Sequence, residues 1–183
     1  MTRTIVIDAR FRIIAIYIIL IIGLASTVIG FFGNFLKADM WLFGTLYASL
    51  SDLDADVEGF AATRIFAWTT FVLVIVSSVL FALARLLKSE AFGKVVVLFC
   101  CLTAASAILV FIFAIVMANK NSGGNAYASV KYTIAEGPTL MLTGGLLAGG
   151  AAAGGSLLQR DKKDVTIEEI HKEEYDKSGK SRV

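Results

Sequence analysis

A chain of 183 residues that is 57% hydrophobic and 17% charged, with a single Pro, has the makeup of an integral membrane protein. A net charge of +2, with acids and bases mixed in the tail, leaves no basic surface for nucleic acid. The one His lies in the tail, the two cysteines are adjacent, and no nucleophile has a base near it on its own helix, so no metal, other cofactor or enzymatic centre is expected.

Four runs lack any Asp, Glu, Lys, Arg or His: Ile13–Leu36, Ile65–Ala84, Val95–Asn119 and Gly137–Gln159. Each approaches or exceeds the roughly 20 residues a helix needs to cross a hydrocarbon core of about 30 Å. The runs are continuous rather than alternating, so they predict helices and not a barrel. The expected fold is therefore an all-α, four-pass transmembrane bundle over residues 13–159, between a short segment, 1–12, and a tail, 160–183. The first run is too long for the apolar part of a signal peptide, and no A-x-A-like site follows it.

Between the first two runs, Leu42, Phe43, Leu46, Tyr47 and Leu50 recur at helical spacing. They predict a short amphipathic helix in the first outer loop, with Trp41 and Tyr47 as interfacial anchors. Asp52, Asp54, Asp56 and Glu58 follow; they lack the glycine turn and distal Glu of a Ca²⁺ loop and suit the start of a helix running into helix 2.

Helix 2 carries a polar line, Thr69, Thr70, Ser77 and Ser78, that Thr103 and Ser106 of helix 3 can meet through interhelical hydrogen bonds. Cys100 and Cys101 lie within helix 3, so no disulfide is expected in the outer loops, and they suit small buried apolar positions. The second outer loop opens on a Gly-rich turn, and "AYASVKYTI" alternates loosely enough for an extended segment.

Helix 4 is the most unusual element. "EGPTLMLTGGLLAGGAAAGGSLLQ" places Gly145 and Gly149 four apart and Gly150 and Gly154 four apart. In lipid, small residues let helix backbones approach. One small face suffices for docking inside a bundle, and two predict a lateral oligomer contact as well. Pro138 suits the first turn, and Glu136 complements the helix dipole. In the tail, Thr166 and Glu169 have capping-box spacing, which predicts a short helix near Ile167–Lys177. The chain closes on Ser181-Arg182-Val183, the S/T-x-hydrophobic pattern a cytoplasmic PDZ scaffold takes up.

Lys and Arg set the orientation. Arg3, Arg10 and Arg12 precede helix 1, Arg85, Lys88 and Lys94 lie between helices 2 and 3, and Arg160, Lys162 and Lys163 follow helix 4. Positive-inside bias thus predicts both termini in the cytoplasm, with outer loops at Lys37–Arg64 and Lys120–Glu136.

Several stretches resemble the claudin and peripheral-myelin-protein superfamily of tetraspans. "FAATRIF" (Phe60–Phe66) is similar to that family's L-Q-A-x-R-A-L entry to helix 2, with Arg64 at the arginine. "WLFGTLY" (Trp41–Tyr47) resembles its W…G-L-W signature, and "EGPTLMLTGGLLAGG" its fourth-helix entry. The signature's paired cysteines have no counterpart, and the first loop is about half the usual length. "LTAASAILVFIFAIVMANKNSGGN" is similar to the MARVEL or Casparian-strip pattern, without that family's helix-3 aspartate. Where claudins build a β-sheet on the first loop, periodicity here favours helix.

The resemblance implies a non-enzymatic plasma-membrane protein that organises a membrane domain or cell junction by lateral self-assembly. The residues expected to serve it are Gly145, Gly149, Gly150 and Gly154 for packing or a homo-oligomer interface. Trp41, Tyr47 and Arg64 would make the outer contact, and Ser181 and Val183 would dock a scaffold. Alternatives are an accessory subunit of a channel, transporter or receptor, a channel formed by the homo-oligomer itself, and an endomembrane location.

Overall fold

The computed structural model describes residues 9–40, 44–53, 57–87, 90–125 and 128–179. Four long helices carry the charge-free runs: α1 (Ala9–Phe32), α2 (Phe60–Leu87), α3 (Glu90–Asn121) and α4 (Glu136–Gly179). All four are long and apolar enough to cross a membrane, and two or fewer charges fall in each spanning window. The chain is a four-helix membrane protein. Their order in space is set by pairing: α1 packs chiefly on α4, α4 on α3 and α3 on α2, while α1 and α2 touch lightly. Helix α4 is 44 residues long and runs unbroken through the region where a separate tail helix was expected.

One end of the bundle carries a four-stranded antiparallel sheet, in the order β2-β1-β4-β3. Strands β1 (Asn34–Met40) and β2 (Gly44–Ser49) come from the first loop, β3 (Gly123–Asn125) and β4 (Ala128–Ile134) from the second. At the opposite end lie the start of α1, the end of α2 and the start of α3. β4 lies where alternation predicts an extended segment.

The first loop corrects the expected helix. Over Gly44–Ser49 the structure has strand, and Trp41–Phe43 lie outside the described residues. Gly44 has φ +77°, a left-handed conformation that an α-helix interior does not contain. Beyond it, Thr45 and Tyr47 suit a strand, and β1 offers a free edge to pair with. Helical spacing of the apolar residues is overridden by that pairing. Helix α1 likewise stops at Phe32, short of the expected Leu36, because Asn34–Leu36 already belong to β1.

A register shift between Asn34 and Leu36 explains how β1 buries two consecutive side chains, Phe35 and Leu36. A bulge turns one extra residue inward. Both join Phe31, Leu50, Phe60, Met117 and Met141 in the core at the sheet end, with Tyr132 and Ile134 of β4 packed against it. The sheet's other face is polar. Lys37 pairs with Asp39 at 3.4 Å, Thr45 donates to Asp39 Oδ1 at 2.7 Å, and Lys131 sits opposite Asp39.

Of the loop acids, Asp52 and Glu58 do not begin a helix. α2 starts at Phe60, after a turn in which Gly59 has φ +88°. Asp52 accepts from the Ser49 amide and hydroxyl at 3.1 and 2.6 Å, which closes the turn after β2. Glu58 pairs with Lys120 at the end of α3. Asp54 and Asp56 lie outside the described residues.

Candidate helix-association site

Two pairs of glycines bring α1 and α4 into backbone contact. A Cβ added to Gly23 would lie 2.5 Å from the Ala148 nitrogen and 2.9 Å from the Gly144 carbonyl oxygen. One added to Gly144 would lie 2.6 Å from the Gly23 oxygen and also strike the Thr27 hydroxyl. Seven residues along, Gly30 and Gly137 repeat the arrangement, each presenting its missing side chain to the other's carbonyl, at 2.7 and 2.9 Å. Seven residues are close to two turns of α-helix, so the pairs stack along one seam. Thr27, between them, donates to its own Gly23 carbonyl at 2.9 Å and so adds no unmet polar group.

The seam passes without a break into the sheet. Gly137 also sits against the Asn34 carbonyl, at 2.6 Å from an added Cβ. The Ala135 amide donates to Phe35 O at 3.2 Å, and Asn34 Nδ2 donates to Glu136 Oε1 at 2.9 Å. From there the pairing continues as Leu36 opposite Ile134 and Lys37 opposite Thr133. Helix α1 with β1, and β4 with α4, thus form one antiparallel ribbon from the membrane to the sheet.

The four glycines singled out from the α4 sequence divide between two sides. Gly145 and Gly149 face α3: an added Cβ would lie 2.8 Å from Ala107 Cβ at the first and 3.3 Å from the Cys100 carbonyl at the second. At Gly150 and Gly154 it would meet nothing within 4 Å among the described residues. Exposed Leu146, Leu147 and Leu157 flank them. Gly155 turns inward again, where a Cβ would lie 2.7 Å from the Phe81 ring. Helix α4 is thus small on the side of α1, on the side of α3 and on an uncovered side.

The residues sequence reasoning missed are Gly23, Gly30, Gly137 and Gly144. Their signal was present as matched seven-residue spacing on two helices, "GLASTVIG" and "GPTLMLTG".

The polar line of α2 meets α3 at one point. Thr70 and Ser106 share a buried hydrogen bond of 2.8 Å, and the Ser106 hydroxyl donates onward to Phe66 O at 3.3 Å. Thr70 is therefore the donor of the pair. Ser77, Ser78, Thr69 and Thr103 instead return to carbonyls of their own helices. Cys100 is buried, whereas Cys101, expected to be buried, is exposed on the outside of the bundle. Its neighbour already occupies the Gly149 contact, and a helix turns the next residue away by about 100°.

Of the outer residues, Tyr47 stands exposed on β2, opposite Lys37. Arg64 is exposed on α2 above the Phe60 ring, 5.8 Å from its centroid. Trp41, Ser181 and Val183 lie outside the described residues. Among the described residues, no group of three His, Cys, Asp or Glu is placed to hold a metal. No protein-family model and no curated protein matches the chain.

Proposed function

We propose that this chain is a non-enzymatic tetraspan, similar to claudins, that assembles laterally through α4 and organises a plasma-membrane domain or cell junction. The uncovered Gly150–Gly154 side carries the reading. After α1 and α3 have taken the other two small sides, a third remains on which a neighbouring helix backbone can approach as closely as α1 does. The sheet supports it further: the family resemblance implies a β-sheet on the first loop, and β1 and β2 occupy that position. Positive-inside bias supports a sheet that faces outside the cell, with the exposed Tyr47 and Leu46 of its edge strand turned to that side. The Ser181–Val183 end then lies in the cytoplasm, where a PDZ scaffold can take it.

The test is Gly150→Leu with Gly154→Leu in the full chain. Tagged copies are counted by single-molecule photobleaching, and their distribution is imaged where two expressing cells meet. The expected result is an oligomer that falls to monomers, with loss of contact enrichment, while the purified monomer melts as before. An oligomer indifferent to both leucines, or an unlike membrane protein co-purifying in its place, overturns self-assembly through this side.

A further inference from the structure

Helix α2 carries one short pattern at both ends, "FAATR" (Phe60–Arg64) and "FALAR" (Phe81–Arg85). In each, the guanidinium stands over the ring four residues earlier, at 5.8 Å from the Phe60 centroid and 5.6 Å from that of Phe81. Both rings are buried, so they are fixed platforms. The arginines are 21 positions apart (85 − 64), and no charge lies between them. At 1.5 Å per residue that is about 31 Å, close to the roughly 30 Å thickness of a bilayer's hydrocarbon core. The two arginines are therefore spaced to flank one hydrocarbon core, each beside the headgroup layer of one leaflet.

The two sites differ. Arg64 is exposed, as a side chain reaching into the interface would be. Arg85 is half-buried, and its Nε is shut away with no hydrogen-bond partner among the described residues. The ring beneath it is locked from three sides. It is part of α2, Tyr17 of α1 lies 5.6 Å away, and α4 makes room for it only because residue 155 is Gly. Both ion pairs found among the described residues, Lys37–Asp39 and Lys120–Glu58, lie at the sheet end. Among the described side chains at the Arg85 end, the exposed Arg12 and Lys94 are cationic as well. A partly dehydrated guanidinium, held rigid at the edge of the hydrocarbon core and without an anionic partner among the described residues, suits a phosphate.

We infer that Arg85 is a binding site for the phosphate of an anionic phospholipid in the leaflet at the end opposite the sheet. The Phe81 ring, Tyr17 and Gly155 hold the guanidinium in place. The lipid covers the seam where α1 and α2 touch lightly, and couples lipid composition to bundle stability.

The test uses the full chain in phosphatidylcholine nanodiscs, with and without phosphatidylglycerol, and native mass spectrometry after release into detergent. Wild type retains phosphatidylglycerol. Arg85→Gln retains roughly tenfold less, the scale of losing a charge-assisted hydrogen bond, and Arg64→Gln retains as much as wild type. Equal retention by Arg85→Gln overturns the site, as does equal loss in Arg64→Gln. Inorganic phosphate protecting wild type against heat as well as the lipid does overturns the lipid as its source. Should Arg85→Gln not fold, phosphatidylglycerol with a photoreactive headgroup is applied to wild type. Crosslinks on the Phe81–Arg85 turn support the site, and their absence there overturns it.

Discussion

Gly30 and Gly137 face each other across the α1–α4 seam so closely that a methyl group on either would sit within 3 Å of the other's carbonyl oxygen. Gly23 and Gly144 do the same two turns deeper. In lipid, apolar side chains gain little by leaving hydrocarbon for protein, so association rests on van der Waals contact and on short approaches of Cα–H to carbonyl. Two reciprocal pairs also define register. Because the same two chains pass directly into the β1–β4 ladder, the glycine seam sets which residues of the sheet meet.

Substitutions on α4 should therefore separate by side. Gly144→Leu drives a side chain into the Gly23 carbonyl and the Thr27 hydroxyl, where backbone cannot give way. It is expected to cost at least the roughly 1–3 kcal/mol of an overpacked core and to leave the protein aggregated or unfolded in detergent. Gly150→Leu meets nothing among the described residues, and gains helix propensity. Thermal unfolding of the purified monomers checks the contrast. Equal damage from both substitutions would mean that the uncovered side is not uncovered in solution.

The helices were legible because a run free of charge has one stable solution in a membrane. The sheet was not. Leu42, Phe43, Leu46, Tyr47 and Leu50 fit helical spacing, yet over Gly44–Ser49 the available β1 edge, with Gly44 at a left-handed φ, decides for strand. Asn34–Leu36 read as the end of helix 1 because both Phe35 and Leu36 are apolar, and no single-strand pattern announces a bulge that buries neighbours together. The dense small-residue repeat of α4 marked an association helix, yet which glycine faces which partner depends on the partner's spacing. Gly23 and Gly30 in helix 1 matter only when laid antiparallel to Gly144 and Gly137.

Ser106 ties α2 to α3 within the apolar spans through two hydrogen bonds, accepting from Thr70 and donating to Phe66 O. Ser106→Ala removes an acceptor for Thr70 and a donor to Phe66 O, while Thr70 can turn to a carbonyl of its own helix. The coupling between Thr70→Val and Ser106→Ala in a double-mutant cycle is expected at about 0.6 kcal/mol and no more than ~2. Denaturant unfolding of the four species measures it. Strict additivity would show that packing alone holds this pair of helices.

On the polar face of the sheet, Asp39 titrates below its ordinary value of 3.8, chiefly because the Thr45 hydroxyl donates to it, with help from Lys37 and Lys131. Asp52 is lowered in the same direction by the Ser49 hydroxyl and amide. A carboxylate with a depressed folded pKa stabilises the fold above its ordinary value and loses that contribution as pH falls through the folded one. The β2 edge should thus loosen only below about pH 3.8. Thr45→Val should move the Asp39 titration back up toward 3.8 without moving that of Asp52. Carboxyl NMR titration follows both, and an unmoved Asp39 would remove Thr45 as the cause.

Two contacts close the junction between the start of α2 and the end of α3, and they should not be worth the same. Lys120 and Glu58 form an ion pair, but their side chains remain 52% and 64% exposed. Such pairs contribute roughly 0–1 kcal/mol and fade with salt. Asn121 instead makes three bonds to backbone. Its Nδ2 donates to Met117 O at 2.7 Å and to Glu58 O at 3.0 Å, and its Oδ1 accepts from the Glu58 amide at 3.4 Å. One of these is local, back onto the last turn of α3, and the others reach the backbone of Glu58 and hold the turn in which Gly59 adopts φ +88°. Asn121→Ala is therefore expected to cost about 1–2 kcal/mol, as leaving partly buried backbone groups without their hydrogen bonds does, against less than about 0.5 for Lys120→Gln. Unfolding at low and high salt separates them: the Lys120 effect disappears at high salt and the Asn121 effect persists. A larger loss from Lys120→Gln would mean that the ion pair, rather than the amide, holds the turn.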